Sequence, residues 1–391
     1  MELKNKKIAL VHDFLTDLGG AERVLEVLCE MFPEAPIYTL LYDKEAMQGR
    51  FSSKIVYTSF LQKFPKFLRK RKKWLLPLMP VAPEIFDLRD FDVVISSSGA
   101  WTKGIVTRLN TTHISYLHSP MRFAWDVSEE YLGQQKKGRA LNLCARLLLN
   151  YLRLWDKAAA DRPDFLVANS KYTQKRIKKY YGRESTIIYP PVNFQFPISN
   201  FESSQNLECS NLEIESSAAA DKIQNSKFFL IVSRLSPYKK IDVVVEAFNK
   251  LGLPLVVIGT GQQEKYLRSI AEKNVKILGY QSDADVASYY AGARAFVFAG
   301  VDDFGMSPVE AMVHGVPVLA IRKGGVLETV VEGRTGEFFD AATPEVIADG
   351  VRRLIENEKS YDKQVIIDRA REFSKERFIR ELEGYIINYI T

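Results

Sequence analysis

Cysteine is scarce in this sequence: Cys29, Cys144 and Cys209 stand far apart in 391 residues, and no CxxC pair occurs. That spacing excludes a disulfide-stapled scaffold and a paired-cysteine zinc module, and it fits a reducing compartment. Long apolar runs are missing too. No stretch approaches the ~18 uninterrupted apolar residues of a membrane span. The apolar segment after Met1–Lys7 stops at His12-Asp13, too short for a signal peptide. The expectation is a cytoplasmic chain that neither crosses a membrane nor leaves by a cleavable signal. Exact repeats and heptad arrays are absent as well. Hydrophobic residues at 46% and charged residues at 26% exclude a disordered or fibrous chain. At ~150 residues per domain the length predicts two or three domains.

The net charge of +6 is unevenly spread. Residues 1–196 hold 31 Lys+Arg against 20 Asp+Glu, a net of +11, and the remainder hold 23 against 28, a net of −5. A basic half joined to an acidic half predicts that the first half faces something anionic.

Apolar patterning alternates strand and helix along the chain. A short β run at Lys7–Val11 precedes helical spacing over Ala21–Phe32. Strand-like runs follow at Asp92–Ile95, His113–Leu117, Phe165–Ala168 and Thr186–Ile188. A second series comprises Phe228–Val232, Pro254–Ile258, Val275–Leu278, Ala295–Phe298 and Val316–Ala320. Such alternation predicts parallel sheets covered on both faces, and two series predict two doubly wound α/β domains. Tyr189-Pro190-Pro191-Val192 ends the first series, because paired prolines continue neither helix nor sheet. The expected division is a first domain over 1–196, a mobile Ser-rich surface loop over 197–226, and a second domain over 227–373. A helix over 374–391 is expected to pack back on the first domain. Ligands of such sheets sit beyond the carboxyl ends of the strands, so the expected site is a cleft between the domains.

Four segments after strands could carry chemistry. Gly19-Gly20 opens a helix and would let backbone N–H groups approach a phosphate; a tight turn needing glycine for its conformation is an equal reading. Arg234 and Lys239, on a loop stiffened by Pro237, suit a pyrophosphate that gains charge as it leaves, though a solvated basic loop reads slightly better from spacing alone. In Gly305-Met306-Ser307-Pro308-Val309-Glu310, Ser307 reads as an N-cap and Glu310 as its capping-box partner. The competing reading gives Gly305, Met306 and Ser307 an anion and Glu310 a diol. His118, in Leu117-His118-Ser119-Pro120, is a structural hydrogen-bond partner unless the other motifs accompany it.

Taken in order, Gly19-Gly20-Ala21-Glu22-Arg23, Leu117-His118-Ser119-Pro120, Ala168-Asn169-Ser170, Tyr189-Pro190-Pro191-Val192, Ser233-Arg234-Leu235, Tyr238-Lys239, Ile258-Gly259-Thr260-Gly261, Leu278-Gly279-Tyr280 and Asp302 with Glu310-Ala311-Met312 resemble glycosyltransferase family 4. The resemblance covers almost the whole chain outside the Ser-rich loop. It implies the GT-B fold, two Rossmann-like domains facing across a cleft, and a retaining, metal-independent enzyme with no cofactor beyond its nucleotide-sugar donor. Within the family, Ser233–Lys239 and Asp303–Ala311 most resemble mannosyltransferases of bacterial O-antigen and capsular polysaccharide synthesis, which implies GDP-mannose. By the same resemblance Arg234 and Lys239 clamp the diphosphate and Glu310 holds the ribose hydroxyls. Gly19 and Gly20 line the phosphate side, Tyr280 meets the base, and His118 approaches the hexose. The N–H groups of Gly305, Met306 and Ser307 contact sugar and phosphate. Asp302 stands where the family usually carries Glu, one methylene shorter, with Asp303 beside it as a substitute. Asp283-Ala284-Asp285 has the letters of a metal signature but reads as a helix N-terminus after Ser282.

Independently of the resemblance, residues 63–76 set seven cations beside Trp74 and five other large apolar side chains. Lys66, Arg69, Lys70, Arg71, Lys72, Lys73 and Trp74 predict a peripheral contact with the inner face of an anionic membrane. A solvated face ranks second, and nucleic acid, with no accompanying motif, a distant third. A second basic and apolar stretch, 136–157, reads as a packed helix that could assist. The sequence thus predicts a transferase moving a hexose onto a lipid-linked glycan. A UDP-sugar transferase, a GT-B epimerase and a non-catalytic nucleotide-sugar-binding partner are the rival readings.

Overall fold

The structure is a computed structural model that describes residues 6–126, 139–194 and 228–390. The Ser-rich stretch 197–226 lies outside the described residues. The chain divides into two compact units, Met1–Pro191 with Glu376–Thr391, and Val192–Lys375.

The first unit is a seven-stranded parallel sheet. Its strands are β1 (Ile8–Leu15), β2 (Ile37–Tyr42), β3 (Val56–Thr58), β4 (Val93–Ser98), β5 (Thr112–Leu117), β6 (Phe165–Ala168) and β7 (Thr186–Ile187), in the order β3-β2-β1-β4-β5-β6-β7. β1 runs four residues beyond the Lys7–Val11 segment expected from sequence. His12 and Asp13 belong to the strand because both are buried and their polar atoms are satisfied by neighbouring chain. β4 is buried on both faces, as a central parallel strand is when helices cover each side. The helix Gly20–Met31 turns Val24, Leu25, Val27 and Leu28 into one core layer. The helix Lys375–Ile390 adds Phe378, Leu382 and Ile386, spaced four apart, to the same layer. Phe378 meets the Tyr116 ring edge-on at 5.7 Å, and Arg377 donates to the Tyr189 carbonyl at 2.7 Å.

The second unit is a six-stranded parallel sheet of β8 (Phe229–Val232), β9 (Leu255–Ile258), β10 (Val275–Gly279), β11 (Ala295–Phe298), β12 (Val318–Ile321) and β13 (Gly336–Phe339), ordered β10-β9-β8-β11-β12-β13. The apolar runs locate these strands except β13, which opens on glycine. In the first unit β2 and the half-exposed edge strand β3 were likewise not foreseen.

Each sheet reverses its strand order once, between β1 and β4 in the first unit and between β8 and β11 in the second. Loops leaving adjacent strands in opposite directions open a crevice at such a point. Both crevices hold residues that the sequence singled out.

Candidate functional site

In the second unit, the loop after β8 makes a short turn over Pro237–Lys239, and Lys240 is held in the left-handed region at φ 54. A side chain there costs on the order of 1 kcal/mol. That turn sends Lys239 toward β11. Its ammonium lies 2.5 Å from Asp302 Oδ2 and 5.6 Å from the centre of the Phe298 ring. Gly300 permits the approach, since a Cβ there would stand 2.9 Å from Lys239 Cα. Ser233, Lys239, Phe298 and Gly300 line a small recess between the two strand ends. Arg234 is exposed on the same loop, and its guanidinium has no ion pair among the described residues. The Asp302 carbonyl accepts from Gly325 N–H at 3.0 Å, which ties the β11 loop to the loop after β12.

The helix after β11 runs from Met306 to Val313 and begins on Gly305, at φ 85 and ψ 83, with no side-chain cap. This overturns the capping box. Ser307 is already the second helical residue, so its backbone no longer has the extended conformation of an N-cap. Glu310 instead accepts from the Tyr290 hydroxyl at 3.1 Å, and Tyr290 stacks on His314 with ring centres 5.6 Å apart. Burial pushes the His314 imidazole down to about 4. An uncapped helix start presents N–H groups and a positive dipole end to an anion, and here it stands beside Lys239 and Asp302. Tyr280 follows Gly279 at the end of β10, two strands or roughly 10 Å across the sheet from β8. It is 61% exposed. Ser282 caps the following helix, its Oγ accepting from Asp285 N–H at 3.2 Å, so the Asp-Ala-Asp letters are a helix start.

In the first unit, Gly19 caps the helix Gly20–Met31 in extended backbone, at φ −159. A turn that needs glycine for its φ is therefore not the reason for Gly19; an added Cβ would instead crowd Glu22 Oε2 at 3.1 Å. Across the crevice the Asp13 carboxylate gathers the loop after β4. It accepts from the N–H groups of Gly99, Ala100, Trp101 and Thr102 and from the Thr102 hydroxyl, at 2.7–3.1 Å. That loop rests on an ion pair with no exposed surface, Lys103 to Asp156 at 2.5 Å, whose carboxylate also accepts from Trp125 and Tyr181. His118 follows β5. Its Nε2 lies 2.8 Å from Ser97 Oγ, and that oxygen is 3.1 Å from His12 Nδ1. His12 Nε2 in turn is 3.4 Å from Glu22 Oε1. Burial, with His12 adding to it, pushes His118 down to about 4.

The second unit thus brings together Lys239, Asp302, Gly305, Met306, Ser307 and Glu310, with Arg234 exposed on the β8 loop, while Tyr280 stands apart at the end of β10. The first unit holds Gly19, Gly20 and His118. Sequence reasoning did not find Tyr290, Asp13, His12 or Ser97. His12 and Asp13 were visible as two polar residues directly after an apolar run, whereas Tyr290 and Ser97 carry no local signal.

The basic segment folds as the short helix Lys66–Lys70 and a 3-10 turn over Lys72–Leu78. Phe67 and Trp74 are exposed, with Leu78, Val81 and Ile85 after them, while Leu75 and Met79 are buried. Lys66, Lys70, Arg71 and Lys73 are exposed and Arg69 half-buried. Lys72 departs from the expected set: its ammonium sits 2.6 Å from Thr16 Oγ1 and 3.2 Å from Asp17, over the Phe14 ring. The helix Arg139–Ala160 buries Leu149 and Leu152 but leaves Leu143, Leu147, Tyr151 and Leu154 exposed along one stripe. Leu152 and Leu148 share a core cluster with Leu75, Leu76 and Phe64, so the basic segment and this helix pack on the same side of the sheet. Among the described residues no helix is long and apolar enough to cross a membrane.

Two family models match the chain, Glycosyltransferase Family 4 over residues 18–196 and Glycosyl transferases group 1 over 213–372. The chain belongs to glycosyltransferase family 4. An uncharacterised glycosyltransferase of Methanocaldococcus jannaschii is 23% identical to this transferase over 94% of its chain and 93% of the relative. A GDP-mannose-dependent phosphatidylinositol monomannoside mannosyltransferase of Mycobacterium tuberculosis is 26% identical over 50% of the chain and 53% of the relative. A glycogen synthase of Thermus thermophilus is 35% identical over 32% and 30%. The GT-B fold is shared with solved glycosyltransferases. Sucrose-phosphate synthase from Thermosynechococcus elongatus superposes with a TM-score of 0.73 at 16% identity, over 98% of the transferase and 99% of that chain. Anabaena HepE in complex with UDP gives 0.67 at 17%, over 98% and 100%.

Proposed function

We propose that the transferase moves mannose from GDP-mannose onto a lipid-linked glycan at an anionic membrane surface, with retention at the anomeric carbon and without a metal. The observation that carries the donor reading is the grouping of Lys239, Asp302 and an uncapped helix start at the β8–β11 crevice, with Arg234 on its rim. Arg234 and Lys239 supply the positive charge that a departing diphosphate needs. The helix start adds N–H donors, and Glu310 takes the ribose hydroxyls. In the reaction the bond from the anomeric carbon to the diphosphate oxygen breaks, the acceptor oxygen bonds to the same face, and its proton passes to the leaving phosphate. Mannose is favoured because the resemblance of Ser233–Lys239 and the Mycobacterium relative point the same way.

The membrane reading is supported by the exposed stripe Leu143, Leu147, Tyr151 and Leu154, and by Phe67, Trp74 and the exposed cations of the basic segment. Apolar side chains flanked by Lys and Arg suit an anionic interface, where each cation contributes ~1 kcal/mol.

Thermal unfolding with GDP, UDP, ADP and CDP at matched concentration tests the donor. A nucleotide at a hundred times its dissociation constant adds ~2.7 kcal/mol to stability. A selective GDP shift supports mannosyl transfer. A selective UDP shift keeps the transferase and discards mannose.

A further inference from the structure

His118 is the group in the first unit expected to meet the donor hexose, and three side chains reach it in series. His12 and Ser97 are register partners on β1 and β4, so they stand side by side on the sheet. Ser97 Oγ lies between the two imidazoles, 3.1 Å from His12 Nδ1 and 2.8 Å from His118 Nε2. Glu22, on the first turn of the Gly20–Met31 helix, closes the far end at 3.4 Å from His12 Nε2. Ser97 is fully buried, His12 is 2% exposed and the Glu22 side chain 15%. His118 itself is clamped: its N–H donates to the Ser98 carbonyl at 2.9 Å, and its carbonyl accepts from Asn169 Nδ2 at 2.9 Å.

With both rings neutral, the carboxylate fixes every proton in the series. An ionised carboxylate only accepts, so His12 must donate from Nε2, which leaves Nδ1 as an acceptor. The Ser97 hydroxyl has one proton, and it goes to His12 Nδ1. The Ser97 oxygen can then only accept from His118, which therefore carries its proton on Nε2. We infer that Glu22, His12 and Ser97 are positioning residues that hold His118 in the Nε2–H tautomer, with the Nδ1 lone pair kept as an acceptor for a hydroxyl of the hexose. The identity of that hydroxyl ligand rests on the transferase reading above; the tautomer does not. Among the described residues nothing hydrogen-bonds to His118 Nδ1, and burial keeps this ring neutral at ordinary pH. An acceptor nitrogen rejects a donor sugar that lacks the matching hydroxyl, because it then stays desolvated without a partner.

The chain has four histidines, His12, His113, His118 and His314. Long-range ¹H–¹⁵N correlation on protein labelled at histidine, at pH 8 and without substrate, reads each tautomer directly, with single His→Gln variants for assignment. The expected result is Nε2–H at both His12 and His118. Glu22→Ala should introduce an Nδ1–H population at His118, although Glu22 touches only His12. Glu22→Gln, whose carbonyl can still accept, should restore the wild-type spectrum. Ser97→Ala should act like Glu22→Ala; if it does not fold, the Glu22 pair decides alone. In the turnover assay Glu22→Ala should lower kcat/KM for the sugar donor about tenfold, equivalent to one net hydrogen bond, with nucleoside diphosphate affinity unchanged. Nδ1–H at wild-type His118, as a doubly protonated His12 would impose, overturns the inference. So does an unaltered His118 spectrum in Glu22→Ala. A protein that turned over no sugar but showed the expected tautomers would refute the transferase reading and leave the relay standing.

Discussion

The ammonium of Lys239 lies 2.5 Å from the carboxylate of Asp302, with only 12% and 22% of the two side chains exposed. Asp302 therefore fixes the lysine's position, and under the proposed function it would compete with a diphosphate for the lysine's charge. Lys239→Ala should lower turnover by a hundredfold or more, on the order of losing one preorganised charge donor, while nucleotide affinity falls far less. Asp302→Asn should bind nucleoside diphosphate several-fold tighter, since the competing anion is gone. Isothermal titration beside steady-state rates separates the two effects. Weaker diphosphate binding in Asp302→Asn would show that the carboxylate positions the lysine more than it competes.

Glu310 does not cap its helix, so removing it should spare the fold. Glu310→Ala is expected to cost about tenfold or more in nucleotide affinity, as losing a charged acceptor does. Its melting temperature should stay within a few degrees of wild type. A large loss of stability with binding intact would return Glu310 to a structural role through Tyr290.

Leu147 and Leu154 are 62% and 66% exposed, so exchanging them for Ser should change stability by no more than about 0.5 kcal/mol. The double variant should nevertheless lose affinity for anionic vesicles in flotation assays. Changing Lys70, Arg71 and Lys73 to Ser should weaken binding most at low salt, while nucleotide binding stays intact. Undiminished flotation of both variants would move the contact to another surface.

Three histidines packed wholly or partly into the protein make the fold acid-sensitive. Burial holds His113 down to about 3, and His118 and His314 to about 4, against an ordinary 6.5. Depressed folded values mean that the unfolded chain binds more protons below 6.5. The stabilisation is complete above pH 6.5 and is lost as pH falls toward 4. Each histidine adds a slope of up to about 1.4 kcal/mol per pH unit in that window. Urea midpoints at pH 7, 6 and 5 should fall accordingly, and His113→Gln should flatten the slope by up to one proton's worth. A flat profile would mean that these rings are protonated in the folded chain.

Much of this architecture was legible because parallel strands buried on both faces are short apolar runs, and the segments after β8, β10 and β11 carry Arg234, Lys239, Tyr280 and Glu310 in chain order. Strand β3, with two of its three residues exposed, had no apolar run to read. The Ser307–Glu310 pattern misled for a local reason. Gly305, free to take a positive φ, starts the helix before Ser307, and no local spacing rule registers that. Ser97 and Tyr290 were illegible because their partners lie 85 and 20 residues away in sequence. A serine in an apolar strand looks the same whether its hydroxyl faces a histidine or nothing.

The three serines of β4 also settle how that strand is threaded. Val93, Val94 and Ile95 are buried whichever way they point, so apolar burial barely distinguishes one alignment of β4 from its neighbour. The hydroxyls do distinguish them. Ser96 meets His113, Ser97 sits between two imidazoles, and Ser98 receives the Lys103 N–H. Sliding β4 by one residue would turn each hydroxyl to the opposite face and leave these four polar partners without it. The strand is thus proofread by its polar end: one set of serines makes the central pairing of the sheet unique and, in the same act, assembles the histidine pair.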